Sequence, residues 1–172
     1  MTVVGWTLNF GEKDLTAIRA AAEREAARTR REISPEAWGF QQIRTALGAW
    51  SRQRETLLEE GEFTLPQQGP AVPGVAATEP KVLKLTDVDF DAVSMGIVGT
   101  LYLQVPEVVA ERWKRNYAVM VAMNTVWHGA FPFKSMDEWA ESLLKDAARA
   151  SRQAQEAEEE RKLIHEVYPE LG

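Results

Sequence analysis

The chain of 172 residues contains no cysteine and only two histidines, His128 and His165. The missing thiols exclude disulfides, thiolate zinc or iron–sulfur sites and cysteine nucleophiles. Neither histidine has a second histidine or a carboxylate four positions away on its own helix, as a helical metal-ligand pair requires. The sequence therefore predicts no metal site and no cofactor.

Long apolar runs are also absent. The longest strongly apolar stretch, Tyr117 to Met123, is far shorter than the roughly 20 residues that a membrane span needs. The first ten residues lack the basic and apolar regions of a secretory signal. We therefore expect a soluble protein without a membrane partner, located in the cytoplasm, or in a virion if a phage encodes it.

Short catalytic motifs are missing as well. No G-x-S-x-G, phosphate-binding loop or dinucleotide fingerprint occurs, and the glycines at 96 and 99 are not followed by the lysine of a Walker motif. The alternating Asp87, Asp89 and Asp91 resemble the start of a calcium loop. Alanine and valine, however, occupy the positions where that loop needs glycine and glutamate. These absences favour a non-enzymatic protein.

Negative charge is concentrated near one end of the chain. The formal net charge is −6, and residues 135–172 carry 10 acidic and 5 basic side chains, which is −5. Residues 1–62 carry 10 acidic and 9 basic groups, and residues 63–134 are balanced. Such a distribution repels nucleic acids and anionic lipids at the C-terminal part.

The first part of the chain predicts one strand and two helices. Val3–Phe10 is rich in β-formers and alternates loosely, so it is expected to be a strand. Asp14 is expected to cap a helix that reaches about Glu32. A Ser-Pro pair at positions 34 and 35 then starts a second helix that runs to about Glu60. Because few residues separate the two helices, they are expected to form an antiparallel hairpin.

The middle of the chain contains a linker and one ambiguous segment. Residues 66–80 are rich in proline, glycine and small residues without periodicity. Residues 86–105 have apolar side chains at helical spacing, which favours a buried helix packed closely at Gly96 and Gly99. Their last residues are also good strand formers, which leaves helix and strand open. A further helix is expected from Pro106 to about Gly129.

The fold class that follows is mainly α: a helical bundle with an N-terminal helical hairpin, a minor β component and a long C-terminal helix. We divide the chain into an N-terminal strand and hairpin at 1–65, the linker at 66–80, apolar core helices at 81–134 and an acidic helical arm at 135–172. Core packing is the expected role of most of the six tryptophans.

The C-terminal helix has its small and apolar residues at heptad spacing. Ser135 and Glu138 form a capping box at its start, and the middle of the seam is alanine. Alanines bury little area, so the seam cannot hold an isolated two-helix coil strongly. We therefore interpret the segment as an arm with apolar anchors at Met136–Leu144 and Leu163–Tyr168 that docks on another molecule. The predicted partner-binding residues are Met136, Trp139, Leu143, Ala147, Ala150, Ala154, Ala157, Ile164 and Tyr168.

A stripe of arginines on the first helix supports an alternative. Arg24, Arg28 and Arg31 are four and three positions apart and so share one helix face, as a phosphate-binding stripe does. Cations near a helix C-terminus are also favourable for the fold alone, and Glu25 can pair with Arg28. The net charge of the chain disfavours nucleic acid as the partner.

The functional hypothesis is a non-enzymatic helical interaction protein, that is, an assembly, scaffold or adaptor component. It would bind a protein partner or a second copy of itself through the C-terminal helix, and a phage virion or its assembly apparatus would fit these features. The alternative is a nucleic-acid-associated subunit that uses the arginine stripe. An enzyme would require His128 to converge with a carboxylate in a pocket.

Overall fold

The computed structural model describes residues 2–60 and 99–171, and these are mostly helical with a small two-stranded antiparallel sheet. The described part confirms the mainly helical composition with a minor β component. In chain order the elements are β1 (Val3–Phe10), α1 (Glu12–Thr29), α2 (Pro35–Gly48), α3 (Ser51–Glu60), β2 (Gly99–Pro106), α4 (Glu107–His128), α5 (Met136–Val167) and a short 3-10 turn (Pro169–Leu171).

The sheet pairs the two strands over their full length, from Val3 opposite Pro106 to Phe10 opposite Gly99. Alternate residues of both strands are buried, as the period of two in a strand requires. The predicted helix over 86–105 is therefore wrong for residues 99–105, the part that the structure describes. This segment is rich in strand formers, and its pairing with β1 makes it a strand. The rest of that prediction and the linker at 66–80 lie outside the described residues.

Gly99 brings β2 close to α1. A Cβ atom at this position would lie 2.5 Å from the Cδ2 atom of Leu15. This distance is too short for any side chain unless Leu15 moves. The close packing expected at Gly99 is therefore present, although it occurs in a strand.

The first helix begins and ends earlier in the chain than predicted, at Glu12 and Thr29. Its N-cap is Gly11, which has no side-chain bond, so the expectation that Asp14 caps the helix is wrong. Asp14 lies in the first turn instead, where the helix dipole favours an acidic side chain. Arg30 adopts the left-handed conformation with φ of 54°, so the helix stops there and does not reach Glu32.

The second predicted helix is interrupted. α2 ends at Gly48 and α3 begins at Ser51, so the expectation of one continuous helix to Glu60 is wrong. The buried side chain of Asn116 spans the break: its Nδ2 donates to the Leu47 carbonyl at 3.0 Å and to the Ser51 hydroxyl at 3.1 Å. A side-chain amide thus supplies hydrogen bonds where the backbone ladder is broken.

Two predicted helix starts are confirmed by their caps. The Ser34 hydroxyl accepts a hydrogen bond from the backbone N–H of Ala37 at 3.1 Å. The Ser135 hydroxyl accepts one from the N–H of Glu138, also at 3.1 Å. The reciprocal bond of the predicted capping box is displaced by one residue, because the Glu138 carboxylate accepts from the N–H of Lys134 at 3.3 Å.

A single hydrophobic core joins the segments on both sides of the linker. The strands supply its centre, α1, α2 and α4 pack against them, and the first turns of α5 close it. Tyr117 lies among aromatic rings that tie α4 to α5, with ring centroids 5.6 Å from Trp139 and 5.9 Å from Phe131. Four of the six tryptophans are buried, Trp6, Trp38, Trp113 and Trp139.

Candidate interaction surface

The first half of α5 belongs to the body of the protein. Its buried residues recur in steps of four, at Met136, Ala140, Leu144 and Ala148, and Trp139 is buried beside them. This face packs mainly against α1, and a 3.0 Å hydrogen bond from Arg24 Nε to the Ser151 hydroxyl joins the two helices. Two predicted partner-binding residues, Met136 and Trp139, therefore lie inside the protein's own core.

The other predicted residues of the seam divide between half-buried and exposed positions. Leu143 and Ala147 are half-buried at the border of the core, whereas Ala150, Ala154 and Ala157 are exposed. The reason is geometric: a row in steps of four rotates by about 40° per step around a straight helix, while a heptad row drifts by about 20° per repeat in the opposite direction, so the two rows diverge. The seam therefore leaves the contact with α1 as the helix proceeds.

Beyond Ser151, α5 continues as a free helix. We call residues 152–171 the distal arm, and all of them except Glu158 are exposed. From Ser151 to the helix end at Val167 the chain advances about 24 Å along the axis. Local side-chain contacts stabilise this part, including Arg152 Nε to Glu156 Oε1 at 3.1 Å and Gln155 Nε2 to Glu159 Oε1 at 3.2 Å.

The end of the distal arm has an exposed apolar surface. Its members, which we call the tip stripe, are Leu163, Ile164, Val167, Tyr168 and Leu171, with exposed fractions of 63, 40, 69, 53 and 69%. Val167 is four positions after Leu163 and three after Ile164, which places these three on one side of the helix, while Tyr168 is the C-cap and Leu171 lies in the 3-10 turn that follows. Burying five such side chains further would release on the order of 5–8 kcal/mol of transfer free energy.

The tip stripe lies on a different side of α5 from Leu144. Leu144, which is fully buried, and Ile164 are twenty positions apart, which corresponds to a rotation of about 200° around the helix axis. Trp139, which is also buried, is only about 20° from Ile164 around the axis, so the exposure of the stripe comes from its place beyond the core. Because the surrounding residues of the distal arm are exposed, another molecule can cover the stripe from solvent.

Most of this surface lies within residues that the sequence indicated. The predicted partner-binding residues include Ile164 and Tyr168, the second predicted apolar anchor spans Leu163–Tyr168, and Leu171 lies outside both. The heptad rows run along the whole helix, whereas the exposed apolar side chains are confined to its end and the turn that follows. The apolar residue after Pro169 was the signal that could have added Leu171.

The predicted arginine stripe lies along a groove between α1, α2 and the middle of α5. Arg24 and Arg28 line this groove together with Glu25, Glu158 and Glu159. Arg28 makes a two-point contact with the Glu25 carboxylate, at 3.0 Å from Nε and 2.5 Å from Nη2. This contact lowers the pKa of Glu25, chiefly through the hydrogen bonds. Arg31 lies beyond the end of α1 and is exposed.

Two carboxylates at the start of α5 interact with β1. The Asp137 carboxylate accepts a 2.5 Å hydrogen bond from the Trp6 indole N–H, and Glu141 accepts a 2.9 Å bond from the backbone N–H of Asn9. Burial raises the pKa of both acids, and the two hydrogen bonds oppose this shift. Glu141 thereby satisfies a backbone donor on the side of β1 that does not face β2.

These raised pKa values predict how stability depends on pH. The folded protein retains protons on Asp137 and Glu141 at pH values where the unfolded chain has lost them, so stability falls as the pH rises above the ordinary carboxyl pKa of about 4 and through the raised pKa values of the folded protein. Asp137→Asn keeps an acceptor for the Trp6 indole and removes the buried charge. We expect this variant to be at least as stable as the parent at pH 7 and to show a flatter pH profile in urea unfolding. Asp137→Ala, which removes the acceptor, should lose stability at every pH; equal profiles for all three proteins would contradict the assignment.

The histidines lie outside the core. His128 is exposed at the C-terminal end of α4, just before Gly129, and His165 is exposed on the distal arm. Beside His128, Trp127 is 59% exposed, and its ring centroid lies 6.2 Å from that of Trp50. Among the described residues, no group of three or more histidine, aspartate or glutamate side chains is arranged to hold a metal ion.

Comparison with known proteins gave no relative from which to transfer a function: no protein-family model, no curated protein and no solved structure matched the chain. Within residues 2–60 and 99–171, no helix is long and apolar enough to cross a membrane.

Proposed function

We propose that this protein is a non-enzymatic assembly or adaptor component that binds another protein through the distal arm of α5. The observation that carries the proposal is the tip stripe, five large apolar side chains that are exposed at the end of α5 and in the turn that follows it. Exposed apolar clusters of this kind are typical of interaction surfaces. Their spacing also matches that of amphipathic helices that dock into grooves.

The division of α5 into two halves supports the same function. The proximal half is anchored by buried residues, so the distal arm has a defined direction and is not a loose tail. A helix that is already formed pays less entropy on binding than a disordered segment does. The protein thus presents a preformed ligand on a folded base.

Nucleic acid is the weaker alternative. Arg24 and Arg28 share their groove with three glutamates, and each makes a contact within the chain. A phosphate approaching this groove would meet carboxylates as well as guanidinium groups. The local charge therefore favours a role in stabilising the junction of α1 and α5.

The experiment that tests the proposal compares three tagged full-length chains in the native host. The parent, the tip variant Leu163→Ser with Val167→Ser, and a control with Val108→Ser and Val126→Ser all have the same charge. The control valines are 71 and 77% exposed on α4. A protein captured by the parent is then purified, and its affinity for each of the three chains is measured directly.

We expect the parent and the control to bind this protein equally, and the tip variant to bind at least about tenfold more weakly, because two anchors are lost. Equal affinities for all three chains would show that the tip stripe is not the binding surface. Circular dichroism should give the same helix content for the three proteins, since all four substituted residues are exposed.

A further inference from the structure

We infer that the tip stripe is the ligand in a helix-in-groove interaction and that its partner is a different protein whose apolar groove has a rim of lysine or arginine. This inference rests on the proposed function and specifies the chemistry of the partner. Leu163, Ile164 and Val167 supply the anchors in the last turns of α5, with Val167 four positions after Leu163 and three after Ile164. Tyr168 at the C-cap and Leu171 in the following 3-10 turn extend the apolar surface beyond the helix.

The charge around the tip stripe identifies the rim of the groove. Residues 152–171 carry six acidic and three basic side chains, a net charge of −3. Glu160 lies one turn before Ile164 on the same face, so it is at the entrance of any groove that receives the stripe. Glu160, Glu166 and Glu170 have no ion-pair partner among the residues that the structure describes. Cationic side chains on the partner would supply the missing counter-charges.

The basic groups of the arm do not compensate these glutamates. Arg152 pairs with Glu156, and Arg161 pairs with Glu158. Lys162 is two positions before Ile164, about 200° around the helix, and it faces the groove beside α1. The solvent side of the distal arm is therefore acidic along its apolar face.

The same charges oppose a second copy of this chain as the occupant. In a parallel pair with the two tip stripes in register, Glu160 would face Glu160, and in either orientation two arms of net charge −3 would approach each other. The residues that precede Ile164 on this face are Ala157, Glu160 and Gln153, which add little apolar area to the two turns of the stripe. A short acidic helix of this kind suits a preformed groove better than a coiled coil.

A peptide of defined sequence tests the inference while the natural partner is still unidentified. The probe is an amphipathic helical peptide of about 14 leucines and lysines, whose apolar face is bordered by ammonium groups. The matched probe replaces every lysine by glutamate. Binding of each labelled peptide to the full-length chain is measured by fluorescence anisotropy at low and at physiological salt.

We expect the lysine peptide to bind at least about tenfold more tightly than the glutamate peptide and to weaken with added salt. Affinity for the lysine peptide should fall about tenfold in the tip variant and severalfold in Glu160→Gln, while the Val108→Ser, Val126→Ser control keeps the parent's affinity. Equal binding of the lysine peptide to the tip variant and the control would overturn the inference, because attraction to the net charge alone would then explain it.

Sedimentation equilibrium of the parent and the tip variant tests the remaining alternative, in which a second copy of this chain covers the tip stripe. A monomeric parent is expected; a parent dimer that the tip variant cannot form would overturn the inference and assign the stripe to a second copy. If the peptides bind the parent and the tip variant with equal affinity while a host protein still requires Leu163 and Val167, the inferred basic rim of the partner's groove is wrong and the proposed function stands. If the host protein also binds without these residues, the proposed function fails as well.

Discussion

Replacing Leu144 by alanine is expected to lower the free energy of unfolding by about 3–5 kcal/mol, whereas the same replacement at Leu163 is expected to change it by less than about 0.5 kcal/mol. Both leucines lie in α5, but Leu144 is 0% exposed and Leu163 is 63% exposed. The contrast between two identical substitutions in one helix isolates the contribution of burial.

The surroundings of Leu144 explain the size of the expected loss. The Leu144 side chain packs directly against Gly39 of α2, since a Cβ atom at Gly39 would lie 3.3 Å from the Cδ1 atom of Leu144. A cavity at this contact cannot be filled by Gly39, which has no side chain to move. At Leu163 the truncation opens no cavity, and alanine is the better helix former.

Urea unfolding of the parent and the two variants, followed by tryptophan fluorescence, checks this prediction. A loss at Leu163 that approached the loss at Leu144 would mean that the distal arm contributes to the fold. The free energies are comparable if the dependence on urea concentration is the same for the three proteins.

A chain that ends at Lys134 is expected not to fold. It lacks the five buried residues of α5, Met136, Trp139, Ala140, Leu144 and Ala148. The three large side chains among them alone contribute several kcal/mol of burial, which is a large part of the 5–15 kcal/mol by which a typical domain is stable. The cut also removes the Asp137 and Glu141 carboxylates that accept hydrogen bonds from β1.

Circular dichroism and size-exclusion chromatography of this short chain test the expectation. Loss of the cooperative urea transition, with elution at the smaller volume of an expanded chain, is the predicted result. A compact chain with native helix content would show that the fold does not need α5. It would also contradict the assignment of Met136 and Trp139 to the core.

Local signals in the sequence predicted the elements that depend on neighbouring residues. The serines at 34 and 135 start helices where expected, because a cap requires only the next three residues. Gly129 ends α4 in the left-handed conformation that glycine adopts without strain.

The local prediction of the Asp14 cap failed, and the larger errors concern contacts with distant residues. The strand at 99–106 forms because β1, almost a hundred positions away, pairs with it, and its apolar spacing alone was compatible with a helix. The break between α2 and α3 coincides with the buried Asn116 of α4, whose side chain no local pattern could connect to Leu47 and Ser51.

The candidate surface could be predicted in part. The sequence indicated an acidic C-terminal arm with apolar residues near both ends, and the structure places Met136 and Leu144 in the core and Ile164 and Tyr168 at the surface. Which end is free depends on where α1 stops. A hydrogen bond from α1 to α5 is made by Arg24, and only the fold determines that position.

The most direct test of the two roles of α5 is one measurement on a chain that ends at Ala154, compared with the full-length protein. The shortened chain keeps every buried residue of α5 and the Arg24–Ser151 hydrogen bond, and it lacks the tip stripe. Urea unfolding should give a free energy within about 1 kcal/mol of that of the full-length protein, and binding of the host partner should be lost. Partner binding that survives the cut, or a fold that does not, would contradict the account.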